Sequence, residues 1–351
     1  MNFKIYILSI FLNVFFICWG LSQTNICDDC DNDGLNDSLE QTLAEKFAPI
    51  IFHDVNEYNF PTNVDVFLQH TSLFIFDDEC DFPSHDVHKL VKEKPTQQDL
   101  ISHQFDDNFC GSTGLVKSNC TRSIKKQRTY YLKDVDFEFK KGSQNTKYWT
   151  TYFHAYKNTY SGITIQYWRF YSFNTGFHKS GLDFSHGGDW ECVQVILDNA
   201  SNPLFVDLLG HTTIERYGWQ TLKLENNHPI IFSEKGGHTS IPYLNQDGIK
   251  QETWTSGHVY KLNSEISETG SLLNIGEKIH PLNGQVFVQF SGIWGSPGTF
   301  YWTSGYWSPP YNETEINQDN QFIKAWCNDM YNAQNLEENG MKECYPCGTS
   351  R

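Results

Sequence analysis

Two long runs of β-branched and aromatic residues constrain the fold of this 351-residue chain more than any other feature. Ile163-Thr164-Ile165-Gln166-Tyr167-Trp168-Arg169-Phe170-Tyr171 alternates in the manner of an extended chain, and Cys192-Val193-Gln194-Val195-Ile196-Leu197 is largely β-branched and apolar. Side chains of these types pack well on a pleated surface. Strands are predicted over 147–156, 162–173, 189–198, 203–211, 228–234 and 285–294, and Ala48 to His53 opens the body as a short strand. Asn59-Phe60-Pro61, Asn174-Thr175-Gly176 and Asn202-Pro203 supply turns between them. Aromatic residues at 15%, with 25 glycines and only 3 methionines, favour a packed β protein over a helical bundle. The fold class that follows is mainly β: a β-sandwich with long loop insertions.

Residues 1–22 read as a signal peptide. Lys4 supplies the charge of its first part, Ile5 to Trp19 is a mostly apolar run too short for a bilayer span, and Gly20-Leu21-Ser22 offers small residues for cleavage. Removing it takes away one Lys and moves the formal charge from −16 to −17. The expected product is secreted, extracellular or periplasmic, with no transmembrane segment after cleavage. Its acidity repels phosphate backbones, so nucleic acid is excluded as a partner, and Lys125-Lys126-Gln127-Arg128 is too short a basic run to change that. The rest divides into a calcium loop and helix at 23–47, a sandwich domain at 48–305 and a Cys-containing extension at 306–351. Residues 80–145 form a polar insertion expected to hold little core, and a short helix is expected around Gln321 to Tyr331.

The stretch Asp29-Cys30-Asp31-Asn32-Asp33-Gly34-Leu35-Asn36-Asp37-Ser38-Leu39-Glu40 fits a twelve-residue calcium loop at every position. Asp29, Asp31, Asp33 and Asp37 stand at positions one, three, five and nine, Gly34 makes the sharp turn at six, Leu35 offers its carbonyl at seven, and Glu40 closes the loop at twelve. Leu39, Leu43 and Phe47 are spaced for an exiting helix over Ser38 to Phe47. With no convincing helix before it, the loop resembles a dockerin or thrombospondin type 3 calcium loop, and it is expected to lie outside the sandwich. An acidic, solvated linker would have no need of the glycine at six or the glutamate at twelve.

A second cation site is expected at His186-Gly187-Gly188-Asp189-Trp190-Glu191. Alternation along a strand puts Asp189 and Glu191 on one face and Trp190 and Cys192 on the other. The two glycines allow His186 to turn back toward the acids. Oxygen donors with one imidazole suit calcium, manganese or zinc.

The order of the aromatic strand, this block, Gly237-His238-Thr239 and Trp294-Gly295-Ser296-Pro297 resembles the vacuolar protein sorting-associated protein 62-like family over roughly residues 46 to 305. More distantly the chain is similar to the necrosis- and ethylene-inducing peptide-like cytolysins, secreted β-sandwich toxins built around a Gly-His-Arg-His-Asp-Trp-Glu heptad. That resemblance implies a divalent cation on His186, Asp189 and Glu191, and it places His238 beside them as a fourth ligand, with His211 a weaker candidate. Gly187 and Gly188 stand where the heptad has Arg and its second His, and the upstream Asp of the cytolysin site has no clear counterpart, Asp183 and Asn174 being the nearest residues.

Nine cysteines follow the leader, and an exported chain favours bridges. Cys27-x-x-Cys30 and Cys344-x-x-Cys347 either fasten the termini together or hold zinc as four thiols, and Cys110 with Cys120 forms a local bridge. Cys192 belongs to the core as the unpaired thiol. Asn36, Asn119, Asn199 and Asn312 head glycosylation sequons.

Two functions fit these features. One is a secreted, cation-dependent, toxin-like protein that binds a glycan or a membrane-lipid headgroup. The alternative is a metal-dependent hydrolase working through His186, Asp189, Glu191 and His238. The oxygen-rich ligand set favours the non-enzymatic choice, with calcium as the cofactor and manganese or zinc as the other options at the Asp-Trp-Glu block.

Overall fold

The computed structural model describes residues 27–54, 56–77, 87–102, 129–133, 137–158, 162–176, 178–179, 182–183, 185–209, 214–245, 248–249, 270–296, 308–309, 313–316 and 322–324. In chain order, helix α1 (Asp37–Phe47) precedes β1 (Ile50–His53), helix α2 (Val64–Leu68), β2 (Ser72–Asp77), β3 (Val87–Glu93), helix α3 (Gln97–Ile101) and β4 (Thr129–Lys133). The centre of the chain supplies β5 (Thr151–Lys157), β6 (Ile163–Asn174), β7 (His178–Lys179), β8 (Leu182–Asp183), β9 (His186–Leu197), β10 (Pro203–Leu209) and β11 (Ile214–Gly218). There follow β12 (Leu224–Glu225), β13 (His228–Ser233), β14 (Ser240–Leu244), β15 (Gly248–Ile249), β16 (Leu272–Asn274), β17 (Glu313–Ile316) and β18 (Phe322–Lys324).

The architecture is mainly β. Six strands form the main sheet in the order β11-β10-β9-β6-β5-β16. Its interior neighbours are antiparallel, and short β16 joins the β5 edge in parallel. A second sheet runs β1-β13-β14-β15, and a third, β3-β2-β4, pairs β2, just before the polar insertion, with β3 and β4 inside it.

Alternation along β6 and β9 decides what each face of the main sheet buries. Ile163, Ile165, Tyr167, Val193 and Val195 pack against Ile51 of β1, Ile231 of β13 and the Leu43, Ala44 and Phe47 face of α1. Trp168, Phe170, Trp190 and Cys192 project the other way onto Phe67, Leu73, Leu100, Leu132, Phe287 and Trp294. Both faces are therefore covered, and every residue of β9 is buried. The Tyr152 hydroxyl accepts from Val64 N at 2.8 Å, tying α2 to that second layer.

Three expectations are corrected. Residues 286–289 are a 3-10 turn and not part of a strand, because Phe287, Val288 and Phe290 are all buried and a short apolar run has no period by which to choose. The described part of the 80–145 segment does carry core: Leu100 and Leu132 are fully buried beside Trp294. On β4 the neighbouring Tyr131 and Leu132 are both buried, while Leu90 of β3 is exposed. Residues 322–324, placed in a helix by the sequence, are a strand. The leader, His211 and Cys110, Cys120, Cys344 and Cys347 lie outside the described residues.

Candidate metal centre

In the N-terminal loop, Asp29 to Glu40 folds back on itself through two residues with positive φ, Asn32 at 63° and Gly34 at 85°. Backbone amides fasten one oxygen of three of the acids. Gly34 N donates to Asp29 Oδ2 at 3.0 Å, Leu35 N to Asp33 Oδ1 at 2.6 Å and Cys30 N to Asp37 Oδ1 at 2.9 Å. The Asn36 side chain caps α1 by accepting from Ser38 N and Leu39 N. The result is two overlapping groups, Asp29 with Asp31 and Asp37, and Asp31 with Asp33 and Glu40, whose ligand oxygens lie within 4.8 Å of one another.

Five oxygens of this cluster have no donor among the described residues: Asp29 Oδ1, both oxygens of Asp31, Asp33 Oδ2 and Glu40 Oε1. Buried polar atoms are ordinarily paired, so the concentration of acceptors without donors marks a place prepared for positive charge. Burial pushes the Asp31 carboxyl up to about 7, with the nearby Asp33 charge adding to it. Burial likewise pushes Glu40 up to about 8, reinforced by Asp33 and Asp31.

The loop is not an appendage. Leu35 is buried with Leu43 against the main sheet, and α1 buries Glu40, Leu43, Ala44 and Phe47, leaving Leu39 41% exposed. Glu40 Oε2 accepts from the Asn274 amide of β16, and Tyr167 OH of β6 donates to Ala44 O at 3.0 Å. Beneath the cluster, His154 Nε2 of β5 sits 2.6 Å from Glu277 Oε1. Burial alone would lower the His154 pKa, but the Glu277 charge and hydrogen bond outweigh it, and Asp33 and Asp31 help raise it. Asn274, His154 and Glu277 were not identified from the sequence, since nothing local marks them.

At the Asp-Trp-Glu block, Asp189 and Glu191 do share one face of β9, opposite Tyr171 and Arg169 of β6. Trp190 lies in the aromatic layer behind, stacked on Phe287 at 5.4 Å. Asp189 Oδ2 accepts from Asn174 Nδ2 at 2.9 Å and lies 2.8 Å from His238 Nδ1. Burial drives Glu191 well above the usual carboxylate range, with Asp189 adding to the rise and Arg169 opposing it. The glycines serve packing: Gly188 has φ 62°, and a Cβ on it would fall 1.9 Å from Trp294 O, while one on Gly295 would fall 2.0 Å from Gly187 O. The His-Gly-Gly and Trp-Gly blocks therefore meet backbone to backbone. His186 is buried, with Nδ1 3.4 Å from Gly187 O. Among the described residues, both acid-containing groups able to hold an ion lie in the N-terminal loop, and neither includes His186, Asp189, Glu191 or His238. Cys192 is buried beside Trp190, and Cys27, Cys30 and Cys192 have no disulfide partner among the described residues.

No protein-family model matches the chain, the 62-like family included, and no curated protein matches it. Solved structures of cytolysin-like toxin folds do align. NLPPya in complex with mannosamine is 10% identical over 76% of this chain and 83% of that one, with a TM-score of 0.33. Necrosis and ethylene inducing protein 2, from the causal agent of cocoa's witches' broom disease, is 12% identical over 72% and 90%, with a TM-score of 0.29. A structure described as a toxin fold for microbial attack and plant defense is 16% identical over 60% and 71%, also at 0.29. Likeness at this level does not extend to activity. Among the described residues, no helix is long and apolar enough to cross a membrane.

Proposed function

We propose that this chain is a calcium-binding β protein, secreted, whose Asp29–Glu40 loop holds one ion and so fastens α1 to the main sheet. The observation that carries it is the convergence of five buried carboxylate oxygens with no hydrogen-bond partner among the described residues. Asp29, Asp31, Asp33 and Glu40 would supply the direct oxygens, with Leu35 O between them and Asp37 at the position that often binds through water. An all-oxygen set at these spacings suits calcium over zinc. Burial first, and then the neighbouring acids, hold the protons on Asp31 and Glu40, and a bound ion would supply the positive charge that their ionised forms lack. Glu40 then links the ion to β16 through Asn274.

Calorimetry of the full chain should show one calcium ion bound per molecule, with the stoichiometric site lost in Asp31→Asn and in Glu40→Gln. Equal stoichiometry in wild type and both variants would refute it. The target belongs to the same proposal: a glycan or lipid headgroup, for which Tyr58, 63% exposed with the Lys235 ammonium 5.1 Å from its ring, is an available contact. Glycan and lipid arrays run with calcium and with chelator test that half separately.

A further inference from the structure

The acid loop lies along an incompletely paired edge of the main sheet, and a lysine meets it there. Short β16 pairs with β5 only over Thr151, Tyr152 and Phe153, so the second half of β5 runs on past it to Lys157. Alternation puts Phe153, Ala155 and Lys157 on one face of that strand. Phe153 and Ala155 share an apolar cluster with Leu35 of the loop, which brings the turn before Leu35 over the end of β5. The contact falls at Gly34, between Asp33 and Leu35. A Cβ on Gly34 would stand 3.6 Å from Lys157 Nζ, its nearest neighbour from elsewhere in the chain.

The lysine stands beside the acids without pairing with any of them. Lys157 is exposed and belongs to no ion pair among the described residues. None of the five loop oxygens that lack a donor takes a hydrogen bond from it. The ammonium is thus behind the turn and outside the group of oxygens, close enough to act by its field alone. Its attachment is fixed from the strand side. Asn158 N donates to Gly162 O at 3.0 Å and Gly162 N to Asn158 Oδ1 at 2.9 Å, closing the β5–β6 turn directly after Lys157. A flexible four-carbon stem lets the charge shift its position but not leave the neighbourhood.

A positive charge in this place acts on ion binding with the same sign in both states. Without an ion it offsets part of the mutual repulsion among the loop acids. With a divalent cation bound, it is itself repelled by that cation. Both effects favour the empty loop. We infer that Lys157 sets the calcium affinity of the Asp29–Glu40 loop: it is a tethered cation that competes with calcium for the field of the acids and raises the concentration at which the loop fills. This inference rests on the calcium reading of the loop and adds to it a residue that no ligand position would include.

The test is calorimetric titration of the full chain with calcium chloride at low ionic strength and one pH, on wild type, Lys157→Gln and Lys157→Arg. Lys157→Gln should bind one ion roughly threefold more tightly than wild type, as expected for removing one nearby surface charge. Lys157→Arg keeps the charge and should bind as wild type does. The gap should close in about 0.5 M KCl, where screening shortens the reach of the field to roughly 4 Å. Thermal melts in chelator at low salt give an independent reading: Lys157→Gln should melt below wild type there, and Lys157→Arg should not. Unchanged or weaker binding by Lys157→Gln, with one ion still taken up, overturns this inference and leaves the calcium loop standing. Tighter binding that survives high salt overturns it as well, because a packing change and not a charge would then be the cause. A wild type that takes up no calcium overturns the loop assignment and this inference with it.

Discussion

In chelator the folded chain should lose stability as pH rises, and calcium should offset much of that loss. Asp31 and Glu40 hold their protons in the folded state to about 7 and about 8, while unfolded carboxyls release theirs near 4. Between those limits the folded state carries more protons than the unfolded one, so the stability slope with pH is negative. The loss begins above the unfolded range and is complete once pH passes about 8. His154 works in the same direction, because its raised pKa contributes stability below the ordinary histidine range that disappears as pH climbs. Asp99, held at about 2 by the Lys92 ammonium and the Thr96 side chain and amide, and Asp198, lowered by Asn202, act oppositely but only in acid, below this window.

The magnitude follows from the displacement. Ionising a carboxyl moved from its ordinary range to about 7 or 8 costs the folded state roughly 4 kcal/mol. Both groups feel Asp33, so their costs overlap and the site as a whole is of the same order. Calcium at about a hundred times its Kd returns roughly 2.7 kcal/mol, on the order of 5–10 °C in melting temperature. It binds the ionised forms, so the gap between calcium and chelator should widen from pH 5 to pH 8. Asp31→Asn and Glu40→Gln remove the repulsion without changing side-chain shape. Each should melt higher than wild type in chelator at pH 8, flatten the pH slope and respond weakly to calcium. Glu277→Gln isolates the His154 contribution. Parallel pH profiles with and without calcium would refute the reasoning, as would an Asp31→Asn protein that keeps the wild-type slope.

Asn274→Ala removes the one side-chain donor that positions Glu40 and should weaken calcium binding roughly tenfold, read by calorimetry, with the other ligands in place. Gly188→Ala forces a Cβ into the Trp294 carbonyl at positive φ and should cost more than about 2 kcal/mol, seen as a drop in urea midpoint. Exported through a eukaryotic secretory route, the chain should carry glycan at Asn199, exposed in the β9–β10 turn, but not at Asn36, whose side chain caps α1. Peptide mapping by mass spectrometry distinguishes the two.

What the sequence could disclose tracks how local each feature is. The acid cluster of the N-terminal loop was legible because twelve consecutive residues hold every acid that clusters among the described residues, and β6 and β9 because alternation assigned Trp190 and Cys192 to one layer and Asp189 and Glu191 to the other. The seating of the loop was not legible: Leu39 and Leu43 look equivalent by spacing, and only the presence of Asn274 and the main sheet decides that Glu40 turns inward and Leu39 outward. The Asp189 surroundings were hidden for the same reason, since Asn59, Asn174 and His238 come from three distant segments. Two acid clusters that look alike in sequence thus differ in which of their oxygens the fold satisfies. In the loop, nearby backbone amides satisfy some oxygens and leave five without donors among the described residues, which is the ground for proposing an ion there. At Asp189 an imidazole and an amide arrive from elsewhere in the fold and engage Oδ2, while Oδ1 has no hydrogen-bond partner among the described residues. Counting carboxylates therefore does not identify a cation site; counting the donors that reach them does.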